Sequence, residues 1–240
     1  MEEKLETFVI MSKTNEPERY KNFLTQVVNN KLHEFLNIHY FNQCWKNDIT
    51  PEIREKYCKS DWAMRKHGRN MINKPLTSGE ISLFLNYIEC LKIIRKKYEK
   101  GLFLLIESDT IFKNNFNKKN IMKITNDVKT IEDLDILNIG TGVEKYFRCR
   151  GYPRTQPIIY NKNKYYKENL NKGMEGVIWT YKSICKFLKY FEEKNDIDGP
   201  IDTKIDVLSQ HLNKFNIYWS ETPLLFGGST NNKYFQRTLN

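Results

Sequence analysis

The stretch Gly101–Phe112 reads GLFLLIESDTIF, and it decides the fold of this chain of 240 residues. Gly101 ends the helical pattern before it, because glycine is favoured just past a helix C-terminus. The unbroken apolar run Leu102–Ile106 has the length of a strand and is typical of a central strand covered on both faces. In open α/β sheets ligands bind beyond the carboxyl ends of strands, so the residues after Ile106 are the first candidates for a functional site.

Two acidic residues, Glu107 and Asp109, follow this strand directly. Carboxylates at positions i and i+2 point to the same side of an extended backbone, so this pair can face one cation. Mg²⁺ and Mn²⁺ prefer oxygen ligands and keep open positions for phosphate oxygens. The pair therefore predicts a metal site, although the same residues could also form an ordinary two-acid surface turn.

The pattern around this strand alternates between strands and helices. A helix capped by Thr77 or Ser78 precedes it, with apolar residues at helical spacing from Ile81 to Ile94. The chain opens with a strand at Thr7–Met11 and a helix at Pro17–Val28, whose proline fits the first helical turn. The other predicted elements are a strand near Ile38–Phe41, a long loop region with short helices at most over Asn42–Lys74, a strand at Asp135–Ile139, a connection with room for one hairpin over Phe147–Lys172, helical structure over Val177–Phe191 and Ile201–Leu212, a strand at Ile217–Trp219 and a tail from Pro223.

The composition favours a globular protein made in a reducing compartment. The five cysteines are far apart and never form a C-x-x-C pair, which argues against a disulfide framework or a zinc knuckle. The longest apolar run is too short to span a membrane, and the acidic start MEEKLE is unlike a signal peptide. We therefore expect a cytoplasmic protein. The net charge of +10 favours a polyanionic partner, which could be nucleic acid, an anionic membrane or a diphosphate ligand.

The stretch Leu76–Phe112, LTSGEISLFLNYIECLKIIRKKYEKGLFLLIESDTIF, resembles the core of glycosyltransferase family 25, the lipopolysaccharide and collagen β-galactosyltransferases. Members of that family begin a helix with L-T-x-G-E-I-G-C-x-x-S-H and end the next strand with E-D-D. Weaker landmarks of the family follow in order along the chain: Glu18-Arg19 after the first strand, Asp135–Gly140, Gly173–Leu188, Pro200-Ile201-Asp202 and Ile217–Leu225. The chain departs from the family pattern at Ser82, Leu83, Asn86, Tyr87 and Ser108.

The resemblance implies an α/β fold of GT-A type, with a twisted, mainly parallel sheet flanked by helices. It implies one glycosyltransferase domain over residues 1–240, with a nucleotide-sugar-binding half at 1–112 and an acceptor-binding half at 113–240. The implied reaction is metal-dependent transfer with inversion of a sugar, such as galactose or glucose, from a UDP-sugar to a glycan or protein-linked acceptor. The departures put the donor specificity and the level of activity in question.

The resemblance also assigns roles to individual residues. Glu107 and Asp109 would hold Mn²⁺ or Mg²⁺, and Asp202 would be the general base that deprotonates the acceptor. The nucleotide-sugar contacts would be Arg19, Glu80, Glu107 and Ser108. Simpler interpretations stay open: Asp202 could cap a helix, Arg19 could cap a surface turn, and Glu80 could interact with a helix dipole. Trp62 and the basic cluster Arg65–Arg69 could line the donor cleft or belong to a solvated loop.

Two functions of other classes compete with transfer. A non-catalytic protein of the same fold would bind a sugar or a partner and show no turnover. A nucleic-acid-binding protein would fit the positive charge and the Tyr and Lys residues interleaved over Tyr160–Tyr166, and it would bind oligonucleotides with a steep salt dependence. No RRM, KH, helix-turn-helix or zinc signature supports nucleic acid as the partner.

Overall fold

The computed structural model describes residues 4–59, 63–67, 70–140, 157–160, 162–168, 173–210 and 214–228, and only the backbone of 63–67 and 70–74. The strands are β1 (Leu5–Ile10), β2 (Leu36–Phe41), β3 (Ala63–His67), β4 (Asn70–Lys74), β5 (Leu102–Glu107), β6 (Thr110–Phe112), β7 (Ile136–Asn138), β8 (Ile158–Tyr160), β9 (Asn163–Lys167), β10 (Val177–Thr180), β11 (Ile217–Ser220) and β12 (Leu225–Gly227). The α-helices are α1 (Pro17–Asn29), α2 (Pro51–Tyr57), α3 (Ser78–Lys97), α4 (Lys118–Thr130), α5 (Tyr181–Lys194) and α6 (Ile201–Gln210).

One large sheet organises the molecule. It has eight strands in the order β2-β1-β5-β10-β7-β11-β9-β8, and only β10 and β9 run against the direction of the others. The predicted α/β fold, a mainly parallel sheet flanked by helices, is confirmed. Both predicted halves of the chain contribute strands to this sheet, and their separate roles in donor and acceptor binding stay predictions.

Alternate residues of β5 serve two hydrophobic cores, one on each face of the sheet. Phe103 and Leu105 pack in the core built with α3, α5 and α6. Leu104 and Ile106 pack in the core built with α1 and α4. Because side chains alternate along a strand, the next residue, Glu107, belongs to the face that carries α3 and α6.

The strand directions bring several loops to one edge of the sheet. The parallel strands β1, β5, β7 and β11 all end there. The antiparallel β10 lies between β5 and β7, so its first residue and the segment before it meet the same edge. We call this edge the carboxyl edge.

The helix predicted over Val177–Phe191 is wrong at its start. Val177–Thr180 is the central strand β10, and the helix begins at Tyr181. Val177, Ile178 and Trp179 are fully buried, because both faces of the strand are covered. The Thr180 hydroxyl accepts a hydrogen bond from the Ser183 amide at 3.1 Å and so caps the helix after the strand.

Several further elements were not predicted, and β6 is one of them. Helix α4 places Ile121, Ile124 and Val128 on one buried face. The long loop region expected over residues 42–74 contains the hairpin β3–β4 besides the short helix α2. The expected C-terminal tail contains β12, which pairs antiparallel with β6.

The expected connection at residues 147–172 lies mostly outside the described residues, and so do Trp62 and the side chains of the Arg65–Arg69 cluster. The described part of the connection contains the hairpin β8–β9. None of the helices in the described part of the chain combines the length and the apolar character that a bilayer crossing requires.

Candidate active site at the carboxyl edge of the sheet

The acidic turn after β5 is held firmly in place. Ser108 and Asp109 are buried, and Glu107 is partly buried. The backbone carbonyl of Asp109 accepts a hydrogen bond of 2.7 Å from the Gly228 amide, which follows β12. The turn is therefore fixed by a segment more than a hundred residues away in the sequence.

Glu175 is a third acidic residue at this edge, and it is not among the predicted site residues. It lies two residues before β10, and its backbone carbonyl accepts a hydrogen bond of 2.8 Å from the Thr110 hydroxyl. Its side chain is enclosed by glycines: a Cβ added at Gly173 or Gly227 would lie 2.2 or 2.8 Å from a Glu175 side-chain atom. No larger residue fits at these two positions unless Glu175 moves.

Asp202 lies in the first turn of α6, on the face of the sheet to which Glu107 belongs. One of its carboxylate oxygens accepts a hydrogen bond of 2.8 Å from the Thr203 amide. Its negative charge acts on Glu107, so the two carboxylates lie within electrostatic range of each other. Asp202 is the second residue of the helix, where a negative charge interacts favourably with the helix dipole.

The charges at this edge repel one another. Burial raises the pKa of Glu107 well above its ordinary value, and the charges of Asp109, Glu175 and Asp202 raise it further. The charge of Arg19 lowers this pKa only in part. Glu107, Asp109, Glu175 and Asp202, which we call the acidic cluster, supply carboxyl oxygens suited to a hard divalent cation, which prefers oxygen ligands and would relieve the repulsion at Glu107. Within the described ranges, no three acidic, histidine or cysteine side chains are already arranged around a common metal position.

Arg19 is held against the acidic turn by a small polar network. Its Nη1 donates to Glu16 Oε1 at 2.9 Å and to the Ser108 hydroxyl at 2.9 Å. The Ser108 hydroxyl donates to the same Glu16 oxygen at 2.9 Å. Ser108 can make both contacts because a hydroxyl both donates and accepts. An aspartate at this position would accept from Arg19 but would repel Glu16.

Ser82 and Asn86, two of the residues at which α3 departs from the glycosyltransferase family 25 pattern, have structural roles. The Asn86 side chain accepts from the Gln43 amide at 2.8 Å and donates to the Cys44 carbonyl at 2.6 Å, and the Ser82 hydroxyl donates to the same carbonyl at 2.9 Å. These two residues therefore fix the segment after β2 onto α3.

Tyr87 is fully buried beneath the acidic cluster. Burial first, and then the negative charges of Glu107, Glu175 and Asp109, raise the pKa of its phenol. The phenol is therefore neutral, and its hydroxyl donates toward the Met174 carbonyl at 3.4 Å, next to Glu175.

Glu80 is engaged within its own helix start. Its carboxylate accepts from the Thr77 amide at 2.8 Å and from the Thr77 hydroxyl at 2.9 Å, and the Glu80 amide donates back to that hydroxyl at 3.3 Å. This capping box is a structural reason for a glutamate at position 80. A contact between Glu80 and a nucleotide stays a prediction.

Five of the predicted site residues meet at the carboxyl edge: Arg19, Glu107, Ser108, Asp109 and Asp202. Glu16 and Glu175 lie there as well, and neither is among the predicted site residues. The sequence contains a signal for Glu175, because Met174-Glu175-Gly176 stands directly before an apolar, β-branched run. The helix predicted for that run hides this signal, because only a strand there brings Glu175 to the edge of the sheet.

No protein-family model matches the chain, and no curated protein matches its sequence. Among solved structures, the chain is similar to mouse xyloside xylosyltransferase 1 in its apo form, with a TM-score of 0.45 and 6% sequence identity. The match covers 96% of this chain and 99% of that one. At this level of similarity no residue role passes from that protein to this chain.

Proposed function

We propose that this chain is a metal-dependent inverting glycosyltransferase that moves a sugar, such as galactose or glucose, from a UDP-sugar to a glycan or protein-linked acceptor. One observation carries the proposal: Glu107, Asp109, Glu175 and Asp202 converge with Arg19 at the carboxyl edge of an α/β sheet. The sequence resemblance of Leu76–Phe112 supports the choice of sugar transfer among the reactions that such a site can perform.

Glu107 and Asp109 are the residues that would hold Mn²⁺ or Mg²⁺, and the negative charge of Glu175 acts on Glu107. The cation, when bound, would neutralise charge on the departing diphosphate. Arg19 would contribute a fixed positive charge at the same place, because Glu16 and Ser108 hold its guanidinium in one orientation.

Asp202 is the proposed general base. The acceptor oxygen would form a bond to C1 of the sugar while the bond from C1 to the diphosphate oxygen breaks, with inversion at C1. The hydroxyl proton would pass to the Asp202 carboxylate, which approaches from α6 rather than from the acidic turn. The base is then separate from the groups that bind the phosphates.

The direct test is thermal unfolding with UDP, UDP-galactose and UDP-glucose, each with Mn²⁺ and with excess EDTA, together with an assay for UDP release. At a ligand concentration about 100 times Kd, binding adds about 2.7 kcal/mol of stability. For a chain of this size this corresponds to a rise in Tm of roughly 5–11 °C. We expect this rise only with the metal present, because the diphosphate completes its coordination.

Each alternative gives a different result when acceptors and oligonucleotides are added to the same experiment. Equal stabilisation in EDTA would remove the metal from the proposal. Metal-dependent binding of UDP-sugars without transfer to any acceptor and without UDP release would favour the non-catalytic alternative. Stabilisation by oligonucleotides and by no nucleotide sugar would favour nucleic acid binding.

A further inference from the structure

A polar cavity lies outside the acidic cluster, between α4, the hairpin β8–β9 and the segment after β11. Its volume is about 200 Å³. A water molecule occupies ~30 Å³ of the liquid, so the cavity has room for a phosphate group or one sugar ring rather than for a single water. Its lining residues include Lys123, Lys162, Asn163, Lys164 and Glu221, whose side chains are charged or carry an amide.

The cavity has an excess of positive charge. It is lined by three lysines and one glutamate. Lys164 pairs with Glu221 at 3.0 Å, and both side chains remain substantially exposed. Among the described residues that line the cavity, no further carboxylate balances the charges of Lys123 and Lys162. An oxyanion is the ligand that such a cavity favours, because each ammonium group supplies a charged donor.

One of these charges is held by a buried network. Lys123 donates to the Asn163 side-chain oxygen at 2.9 Å, and the Asn163 amide donates to Asp127 at 2.7 Å. Asp127 is fully buried and also accepts from the Tyr165 hydroxyl at 2.7 Å. The ammonium of Lys123 is thus anchored through Asn163 to the core. Fixing a donor in advance reduces the entropy lost when a ligand binds.

Lys162 lies in the turn of the hairpin, where its φ of 69° places the backbone in the left-handed region. The turn joins β8 to the antiparallel β9, and β8 runs in the direction of β5. The turn therefore projects from the carboxyl edge, the same edge that carries the acidic cluster.

A continuous segment links the cavity to the acidic cluster. Leu224 lines the cavity, and the Gly228 amide donates to the carbonyl of Asp109 at 2.7 Å. Four residues of extended chain span ~13 Å at about 3.3 Å each. A short oligosaccharide can cover this distance, so one acceptor molecule can reach both places.

We propose that this cavity is a subsite for an anionic group of the acceptor, a phosphate or a carboxylate carried by a sugar some distance from the reacting hydroxyl. This inference rests on the proposed transfer function, since the word acceptor has meaning only there. The lysines position the glycan and take no part in bond making.

The test measures binding of two probes, inorganic phosphate and glucuronic acid, by NMR titration without nucleotide or metal. We expect Lys123→Gln and Lys162→Gln each to raise the Kd of the preferred probe about tenfold. This is the effect of losing one charge-assisted hydrogen bond. Lys119→Gln is the matched control, because Lys119 is exposed on the same helix outside the cavity and the substitution changes the net charge equally. The preferred probe distinguishes phosphate from carboxylate as the natural group.

Equal weakening in Lys119→Gln, or no saturable binding of either probe, would overturn the subsite. Saturable oligonucleotide binding that depends on Lys123 and Lys162, with neither probe competing, would also overturn it. The failures of the two proposals are distinguishable. Saturable probe binding in a protein that never transfers sugar refutes the transfer function alone. Normal transfer, with an unchanged KM for an anionic acceptor in both lysine variants, refutes the subsite alone.

Discussion

Replacing Glu107 by glutamine tests the electrostatic description of the site. The folded-state pKa of Glu107 is raised by burial and by the neighbouring carboxylates, so the protein is most stable when this group is protonated. The contribution of protonated Glu107 to the free energy of unfolding is complete below the pKa of this group in the unfolded chain. It is lost as the pH rises through the pKa in the folded protein. In the metal-free protein, Glu107→Gln should therefore be stabilising at pH 8, with a gain that shrinks as the pH falls toward 5.

The size of the effect follows from the shift. Each unit of pKa difference between the folded and unfolded states is worth ~1.4 kcal/mol. For a chain of this length, 1 kcal/mol changes Tm by about 2–4 °C, so each unit corresponds to roughly 3–6 °C. With Mn²⁺ present, the wild type should instead be more stable than Glu107→Gln, because a carboxylate binds the cation better than an amide does.

The assay is thermal unfolding in EDTA at several pH values between 5 and 8, and again with Mn²⁺. Glu132→Gln is the matched control, since Glu132 is an exposed glutamate before β7 and its replacement should not change Tm appreciably. A Glu107→Gln protein that is destabilised to the same extent at pH 5 and pH 8 would refute the reasoning. Such a result would mean that hydrogen bonding by Glu107, rather than repulsion, dominates its contribution.

Three further substitutions in the site, and one control outside it, separate the roles of the site residues. Asp109→Asn should abolish transfer and leave the far-UV spectrum and cooperative unfolding intact, because it changes ligand charge rather than packing; unchanged turnover would move the metal site elsewhere. Asp202→Ala should lower the transfer rate by roughly 100-fold or more while metal-dependent UDP binding persists. Loss of UDP binding in this variant would place Asp202 in the donor site. A loss of about 1 kcal/mol of stability with unchanged transfer would mean that Asp202 only stabilises the start of α6. Gly173→Ala should reduce activity strongly, because its φ is 77° and the new Cβ would meet the Glu175 carboxylate at 2.2 Å. Gly101→Ala also has a positive φ but meets only the Phe103 ring at 3.5 Å, so it should affect stability and not transfer.

Part of the fold was predictable because its signals are local. The Thr77–Glu80 capping box and the apolar stripe that follows it define the start and the buried face of α3. The signals for α4 were equally local, since Asn117 caps it through the Asn120 amide at 3.0 Å. That helix was missed because its lysines and asparagines resemble a solvated loop in composition.

Other elements depend on contacts between distant residues. Val177–Thr180 is too short and too uniformly apolar to show a period, so a strand and the first turn of a helix cannot be told apart there. It becomes a strand because it pairs with both β5 and β7. The strand β12 likewise exists through its pairing with β6, which a residue-by-residue propensity does not contain.

The sequence by itself determined the central strand Leu102–Ile106 and the acidic pair at its end, because alternation, capping and strand length are properties of a few neighbouring residues. Only the tertiary structure decided that Glu16 and Glu175 join this pair, since the insertion of β10 beside β5 brings Glu175 to the carboxyl edge. These residues are far apart along the chain, and the burial of two apolar cores holds them together. The free energy of burying apolar surface depends mainly on its area, so many arrangements of the strands would be stabilised almost equally. The strand order is selected by the pairing and packing of the whole sheet.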